Sequence, residues 1–67
     1  MVDFNKADLV TNGDTVYKVL TVHRNGTYTV RADLALDKNG KHLCVLDYTY
    51  RNCFLGDDFY LYSATSN

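Results

Sequence analysis

The side chains with the greatest capacity for chemistry are two cysteines and two histidines, Cys44, Cys53, His23 and His42. His42 and Cys44 lie two positions apart, but zinc sites typically repeat such a close pair, and this chain has no second pair. Cys44 falls on an apolar face of a predicted strand, where a free thiol behaves as a small hydrophobic group, and Cys53 adjoins a predicted turn. We therefore expect two reduced cysteines and neither a metal site nor another cofactor.

Catalysis finds little support in the residue pattern. A cysteine, a histidine and an aspartate could be named as nucleophile, base and orienting group, but almost any short chain permits that choice. The sequence has no nucleophile elbow and no glycine-rich phosphate loop. Asp57 and Asp58 are adjacent, and neighbouring side chains of an extended loop point apart, which favours a solvated loop over a carboxylate site. We expect a protein that is not an enzyme.

Tyrosine is the most informative residue type, with 6 examples among 67 residues. Tyr48 and Tyr50, and likewise Tyr60 and Tyr62, have the i, i+2 spacing that places each pair on one face of a strand. If the last two strands pair, the four rings form one cluster. The rings either replace other apolar residues in a small core, with hydroxyls at its rim, or form an exposed aromatic platform that binds another protein.

Basic residues offer an alternative function. Lys38, Lys41 and His42 cluster around a predicted turn, and Arg51 could lie nearby; beside stacked tyrosine rings such residues could neutralise phosphates. The 7 basic residues are nevertheless outnumbered by 8 acidic ones, and lysines in turns are usually only solvated. Nucleic-acid binding is therefore the alternative to protein binding.

Strands must position all of these side chains. Apolar and polar residues alternate from Tyr28 to Leu34, which predicts a strand with one apolar face. The segment from Thr15 to His23 is rich in valine, threonine and tyrosine and has apolar groups on both faces, as in a strand covered on both sides. Between these strands, Asn25-Gly26 predicts a hairpin with a type I′ turn.

The second half of the chain continues this pattern. Residues 37–41, Asp-Lys-Asn-Gly-Lys, suit a type I turn closed by a glycine bulge. Alternation resumes from His42 to Arg51, residues 52–58 contain Gly56 and paired aspartates typical of a loop, and Phe59 to Ser63 makes a short last strand. Residues 64–67 are expected to be a frayed tail.

The N-terminal residues have a weaker pattern. Asn5 to Asp8 suit one helical turn, Val2 to Phe4 would supply a fifth strand if they pair, and Asn12-Gly13 marks a turn. The predicted fold is all-β, a small antiparallel meander of four to five strands, in one domain spanning 1–67, that curls into a small barrel or a strongly bent sheet. Its predicted inner face is made of Val16, Leu20, Val22, Val30, Ala32, Leu34, Leu46, Phe59 and Leu61.

The segment Val10-Thr11-Asn12-Gly13-Asp14-Thr15-Val16, followed by Tyr17-Lys18-Val19-Leu20 and the Asn25-Gly26 hairpin, resembles the opening of Src-homology-type and Tudor or KOW-type small barrels. In those families a glycine-aspartate step leads into a first long strand. The resemblance covers about 20 residues and implies a small barrel that binds peptides or nucleic acids, without assigning contact residues. The small proline-free chain also looks like the accessory proteins that bacteriophages encode.

Composition sets the remaining limits. The chain is 46% hydrophobic, with a formal net charge of -1, which excludes a largely disordered chain. No apolar run approaches a membrane span, and residues 1–6 lack the pattern of a signal peptide, so we expect a cytoplasmic protein without a membrane partner. A core this small favours oligomerisation or docking on a partner.

The expected function is that of a protein-binding module, such as a phage-encoded inhibitor of a larger host protein. The alternatives are a nucleic-acid-binding barrel and a structural homo-oligomer subunit. The predicted binding residues are Tyr48, Tyr50, Tyr60, Tyr62, Arg51, Lys38 and Lys41.

Overall fold

The computed structural model describes residues 4–62, which form a five-stranded antiparallel sheet and no helix. The strands are β1 (Leu9–Thr11), β2 (Thr15–Val22), β3 (Tyr28–Leu36), β4 (His42–Cys53) and β5 (Tyr60–Leu61). This part of the chain accordingly holds no helix long and apolar enough to cross a membrane. The predicted all-β antiparallel fold is confirmed.

The order of strands across the sheet is β4-β3-β2-β1-β5. The first four strands are joined to their neighbours by short turns, whereas residues 54–59 carry the chain from β4 at one edge to β5 at the other. The ladder of the described residues therefore has two edges and does not close into a barrel. Residue 63 of the predicted last strand, like the predicted tail, lies outside the described residues.

The hairpin turns follow one scheme. In the β3–β4 turn the Gly40 N–H donates to the Asp37 carbonyl over 2.9 Å, and Gly40 has a φ of 81°, which confirms the predicted type I turn with a glycine bulge. The β2–β3 turn repeats this pattern, because the Gly26 N–H donates to the His23 carbonyl over 3.3 Å. The predicted type I′ turn is wrong here: it needs positive φ at both central residues, and Gly26 has a positive φ while Asn25 does not.

The core lies on the side of the sheet built from β1, β2 and β3. Its buried cluster consists of Phe4, Val10, Val19, Tyr28 and Val30, and Tyr17, Leu55 and Phe59 pack against it. Val16 is buried as predicted, but it lies on the opposite face from its neighbour Tyr17, which pairs with Ala32. The predicted inner face is correct for Val30 and Ala32, which are buried. It is wrong for Val22 and Leu61, which are exposed, and only partly correct for Leu20, Leu34, Leu46 and Phe59, which are half-buried.

The predicted face of β2 is wrong, because the strand turns Tyr17 and Val19 towards Ala32 and Val30. The register between β2 and β3 shifts between Val16 and Tyr17 and again between Val19 and Thr21. The unpaired residue is Asp33 of β3 at the first shift and Leu20 of β2 at the second, so the two-residue period of β2 itself fails only at Leu20. Val22 lies at the exposed end of the strand.

The N-terminal segment is a turn anchored to the sheet. Ala7 has a φ of 75°, which right-handed helices exclude, so the predicted helical turn is wrong. The Ala7 N–H donates to the Val19 carbonyl over 2.8 Å, and the Val19 N–H donates to the Asp8 carbonyl over 2.9 Å. These bonds place Phe4 over the core outside any strand, and the fifth strand is Leu9–Thr11. The predicted pairing of Val2 and Asp3 lies outside the described residues.

Candidate interaction surface

Exposed apolar side chains concentrate on β4 and the residue that follows it. Leu43, Val45, Tyr48 and Tyr50 of β4 are exposed, as is Phe54. Such a concentration is uncommon on a small soluble domain, because single apolar side chains are usually scattered over a surface. These exposed residues lie on both faces of the β3–β4 hairpin: Tyr48, Tyr50 and Phe54 lie on the face of Val30 and Ala32, whereas Val45 lines a groove on the other face.

The predicted cluster of four tyrosines divides between two edges. Tyr48 and Tyr50 lie on β4 and Tyr60 lies on β5, and all three are exposed. β5 pairs with β1, where Thr11 lies opposite Tyr60. The last two strands, β4 and β5, therefore do not pair, and the single cluster that depended on their pairing does not form. Tyr62 is half-buried, and its N–H donates to the Leu9 carbonyl over 2.8 Å.

A small apolar cleft opens between β4, β2 and the crossing segment. Its volume is about 190 Å³, and it is lined by Tyr17, Tyr50, Phe54, Leu55 and Phe59 together with Val30 and Cys53. The Tyr17 ring contacts two other rings of the lining, with its centroid 6.2 Å from that of Tyr50 and 5.7 Å from that of Phe59. Small-molecule sites usually measure about 300 to 1,000 Å³, so this cleft suits one inserted side chain better than a cofactor.

Register places the tyrosines of β4 beside this cleft. Tyr50 pairs with Val30 and Tyr48 pairs with Ala32, both of which are buried residues of β3. Paired residues of an antiparallel ladder share a face, so Tyr48 and Tyr50 extend the apolar face of β3 towards the open edge. β4 is an edge strand, so in the described part of the chain no strand lies beside these two tyrosines on the side away from β3.

The opposite face of the β3–β4 hairpin is charged. The Arg31 Nε donates to the Asp33 carboxylate over 2.8 Å, and a solvent-open groove of about 520 Å³ extends from this pair to Val45, Leu46 and Asp47. The hydrogen bond to Asp33 raises the pKa of the Arg31 guanidinium, and the charges of Asp33 and, to a smaller extent, Asp47 act in the same direction. Asp47 lines the same groove as Arg31 and therefore lies on that face of the hairpin.

The predicted basic residues do not gather around the tyrosines. Lys38 and Lys41 are exposed on the β3–β4 turn, where the Lys41 N–H donates to the Asp37 carboxylate over 2.9 Å. Along β3, the register positions opposite His42 and Tyr50 are six residues apart, which corresponds to about 20 Å. Arg51 is exposed directly after Tyr50. Only Arg51 is thus adjacent to the tyrosine pair.

The cysteines and histidines are also dispersed. Cys44 is exposed and Cys53 is half-buried, and both are free thiols. The imidazole of His23 contacts the Thr29 hydroxyl at 2.8 Å, and that of His42 contacts the Tyr62 hydroxyl at 3.3 Å. Residues 4–62 contain no group of three or more histidine, cysteine or acidic side chains placed to hold a metal ion.

Two residues of the cleft were not anticipated from the sequence. Phe54 and Leu55 fall within a segment whose glycine and aspartates predicted a solvated loop. An adjacent pair of large apolar residues in such a segment was the available signal, because a loop that only connects two strands rarely needs them. The structure places Leu55 against the core and leaves Phe54 at the rim of the cleft.

Comparison of the chain with protein-family models, with curated proteins and with solved structures found no match. The geometry of β4 and of the cleft is therefore the basis for assigning a function.

Proposed function

We propose that this chain is a small non-enzymatic protein-binding module that docks on a larger protein through β4 and the adjoining cleft. The observation that carries the proposal is the continuity of the cleft with the exposed rings of Tyr48, Tyr50 and Phe54. Tyrosine and phenylalanine supply large contact areas at a low cost in rotamer entropy, and buried aromatic anchors dominate many protein interfaces.

The size of the cleft identifies the kind of contact. A cavity of about 150 Å³ lined by apolar side chains holds a benzene molecule, so the 190 Å³ cleft has room for one aromatic or branched aliphatic side chain. An inserted partner residue would pack against Tyr17 and Phe59, with Phe54 covering it from the rim. The surrounding exposed rings would then exclude water from this contact.

We also propose that the sheet is strongly bent, so that its two edges approach each other. The Tyr62 hydroxyl, next to β5, lies 3.3 Å from the imidazole of His42, the first residue of β4. These residues belong to opposite edges of the strand order, so their contact supports a sheet bent towards its own ends. The likeness to Src-homology-type or Tudor-type barrels, the phage origin and the inhibitory role stay predictions from the sequence.

The test compares capture of partner proteins by matched surface variants. Phe54→Ala and Tyr50→Ala remove cleft residues, Val22→Ala removes an exposed apolar residue of β2 as a control, and a Lys38→Glu/Lys41→Glu variant alters the basic turn. Each immobilised protein is incubated with lysate, with and without nuclease, and a protein captured by the wild type is then purified and titrated against each variant.

The expected result is direct binding that survives nuclease treatment. Loss of a hot-spot residue costs about 2 kcal/mol, so we expect Phe54→Ala or Tyr50→Ala to weaken binding roughly 30-fold while the Val22 and lysine variants bind as the wild type does. Binding that nuclease abolishes, and that the lysine changes remove while both aromatic variants retain it, would overturn the proposal in favour of a nucleic-acid-binding protein.

A further inference from the structure

The outer edge of β4 is a long unpaired strand edge. β4 spans 12 residues and pairs with β3 on one side, and residues 4–62 provide no strand on the other. Such an edge presents backbone N–H and C=O groups that can pair with another chain. We propose that β4 pairs antiparallel with β4 of a second copy of this chain, around a two-fold axis at Thr49.

Charge complementarity selects both the partner and the register. With Thr49 opposite Thr49, Asp47 of each copy lies opposite Arg51 of the other, which gives two symmetric ion pairs. Moving the axis to residue 47 or 51 instead places two aspartates or two arginines opposite each other, which is unfavourable. An axis at residue 48 or 50 places Asp47 or Arg51 opposite Thr49 and forms no ion pair, so among these axes only Thr49 gives complementary charges. The described residues contain one ion pair within the chain, Arg31–Asp33, so Asp47 and Arg51 are not committed to each other or to another ion pair there.

The same register joins the tyrosine faces. Tyr48 of each copy lies opposite Tyr50 of the other, and opposed residues of an antiparallel pair have Cβ atoms about 4.5 to 5.5 Å apart. Four exposed rings thereby meet around the axis, on the face that also carries the cleft. The Tyr17–Tyr50 ring contact within each copy continues this aromatic row across the dimer.

Irregularities in β4 limit the length of this pairing. The β3–β4 register is regular from Tyr48 to Tyr50 but shifts on both sides, between Val45 and Tyr48 and between Tyr50 and Cys53. Asn52 has a φ of 55°, which marks the second irregularity. Regular pairing is therefore confined to residues 48–50, with Asp47 and Arg51 at its two ends. A contact this short falls below the roughly 1,200 Å² of stable interfaces, so the dimer is weak and reversible.

This inference goes beyond the proposed function, because it assigns the backbone edge of β4 and the Tyr48 ring to a second copy. Tyr50 borders both contacts, and the rest of the cleft, with Phe54 at its rim, stays open for the larger partner. Dimerisation brings two clefts onto one continuous sheet and makes the module bivalent. Binding of a partner that displays two copies of its docking site would then be strengthened by linkage of the two contacts.

Sedimentation velocity over a range of protein concentrations tests the dimer. The proteins are the wild type, Asp47→Arg, Arg51→Asp, the Asp47→Arg/Arg51→Asp double variant and the Lys38→Glu/Lys41→Glu control. We expect wild-type dimers with a dissociation constant below about 1 mM, at least tenfold weaker association of each single variant, and recovery in the double variant, whose charges are complementary again. The lysine control should associate as the wild type does.

Mixing the two single variants provides a sharper result. Asp47→Arg has arginine at both charged positions of the pairing segment, and Arg51→Asp has aspartate at both. In the proposed register every arginine of one chain therefore opposes an aspartate of the other, so the mixture should form heterodimers although neither variant associates well alone. Monomeric wild type at about 1 mM, single variants that associate as tightly as the wild type, or a mixture no more associated than its components would overturn the inference. Titration of a purified monovalent partner against the Asp47→Arg variant tests the proposed function separately, because the lining of the cleft is unchanged and a monovalent partner gains nothing from dimerisation.

Crosslinking tests the two-fold axis. Thr49→Cys and the exposed control Thr21→Cys, each made in a Cys44→Ser/Cys53→Ser background, are oxidised at a concentration at which the wild type dimerises. Residues on the axis approach within the range that a disulfide bridges, so Thr49→Cys should form covalent dimers at least tenfold faster than Thr21→Cys. Equal rates for the two proteins would show that β4 does not pair around Thr49.

Discussion

Strands β3 and β4 are neighbours with similar apolar content and opposite burial. Tyr28, Val30 and Ala32 of β3 are buried, whereas every residue of β4 is exposed except the half-buried Leu46 and Cys53. β3 has a strand on each side and Phe4 packed above Tyr28, while β4 has one neighbour and an open edge. Position in the sheet, and not the two-residue alternation that both strands share, determines which apolar residues stabilise the fold and which are available for binding.

Phenylalanine gives the largest expected contrast. Phe4 is 2% exposed and Phe54, just after β4, is 77% exposed. Removing a buried aromatic ring costs about 3 to 5 kcal/mol, comparable to the whole core contribution in a domain of this size, so Phe4→Ala should be largely unfolded at 25 °C. Phe54→Ala should lose less than about 0.5 kcal/mol. Urea denaturation followed by circular dichroism measures both, and equal losses would show that the cover over β3 does not stabilise the fold.

How much of this contrast the sequence predicts depends on the range of the interactions involved. Alternation in β3 and the glycines at 26 and 40 act locally, so the central hairpins and the buried Val30 were predictable. The position of β5 beside β1 depends on a connection that crosses the sheet, and no local pattern encodes it. Phe4 is buried through contacts with Tyr28, 24 residues away. For the same reason the sequence predicted only a conditional strand from Val2 to Phe4 and no place for Phe4 in the core.

The candidate surface was predictable to a similar degree. Exposure of several tyrosines follows from simple volume limits, since one small inner face cannot hold six of them, and Tyr48, Tyr50 and Tyr60 are indeed exposed. Their division between two edges, and the cleft that Phe54 and Leu55 complete, required the strand order and the path of residues 54–59. The register shifts along β4 cannot be predicted from its residue types. Leu46 is therefore half-buried, although the alternation of the strand predicted a core position for it.

Valine tests the same contrast within the sheet. Val30 of β3 is 2% exposed, and Val45 of β4 is 81% exposed. Val30→Ala removes two buried carbon groups and leaves a small cavity, which should lower the free energy of unfolding by about 1.5 to 3 kcal/mol. Val45→Ala should change it by less than about 0.5 kcal/mol. Thermal melts of both variants provide the measurement; a Val45 variant as destabilised as the Val30 variant would mean that β4 is covered in solution.

Tyrosine gives the smallest and most specific contrast, because a single oxygen is removed. The Tyr28 side chain is 7% exposed, and its hydroxyl accepts a hydrogen bond from the Phe4 N–H over 3.3 Å in a buried setting. Tyr28→Phe leaves that N–H without its partner and should cost about 1 kcal/mol, the lower end of the penalty because the bond is long. Tyr48→Phe removes a hydroxyl from a ring that is 63% exposed and should be neutral within about 0.5 kcal/mol.

Hydrogen exchange at the Phe4 amide separates the loss of this one hydrogen bond from a general loss of stability. In Tyr28→Phe the Phe4 amide should lose more protection than the amide of Val19, which donates to the Asp8 carbonyl over 2.9 Å. Equal loss of protection at the two amides would show that the hydroxyl does not hold the N-terminal segment on β3.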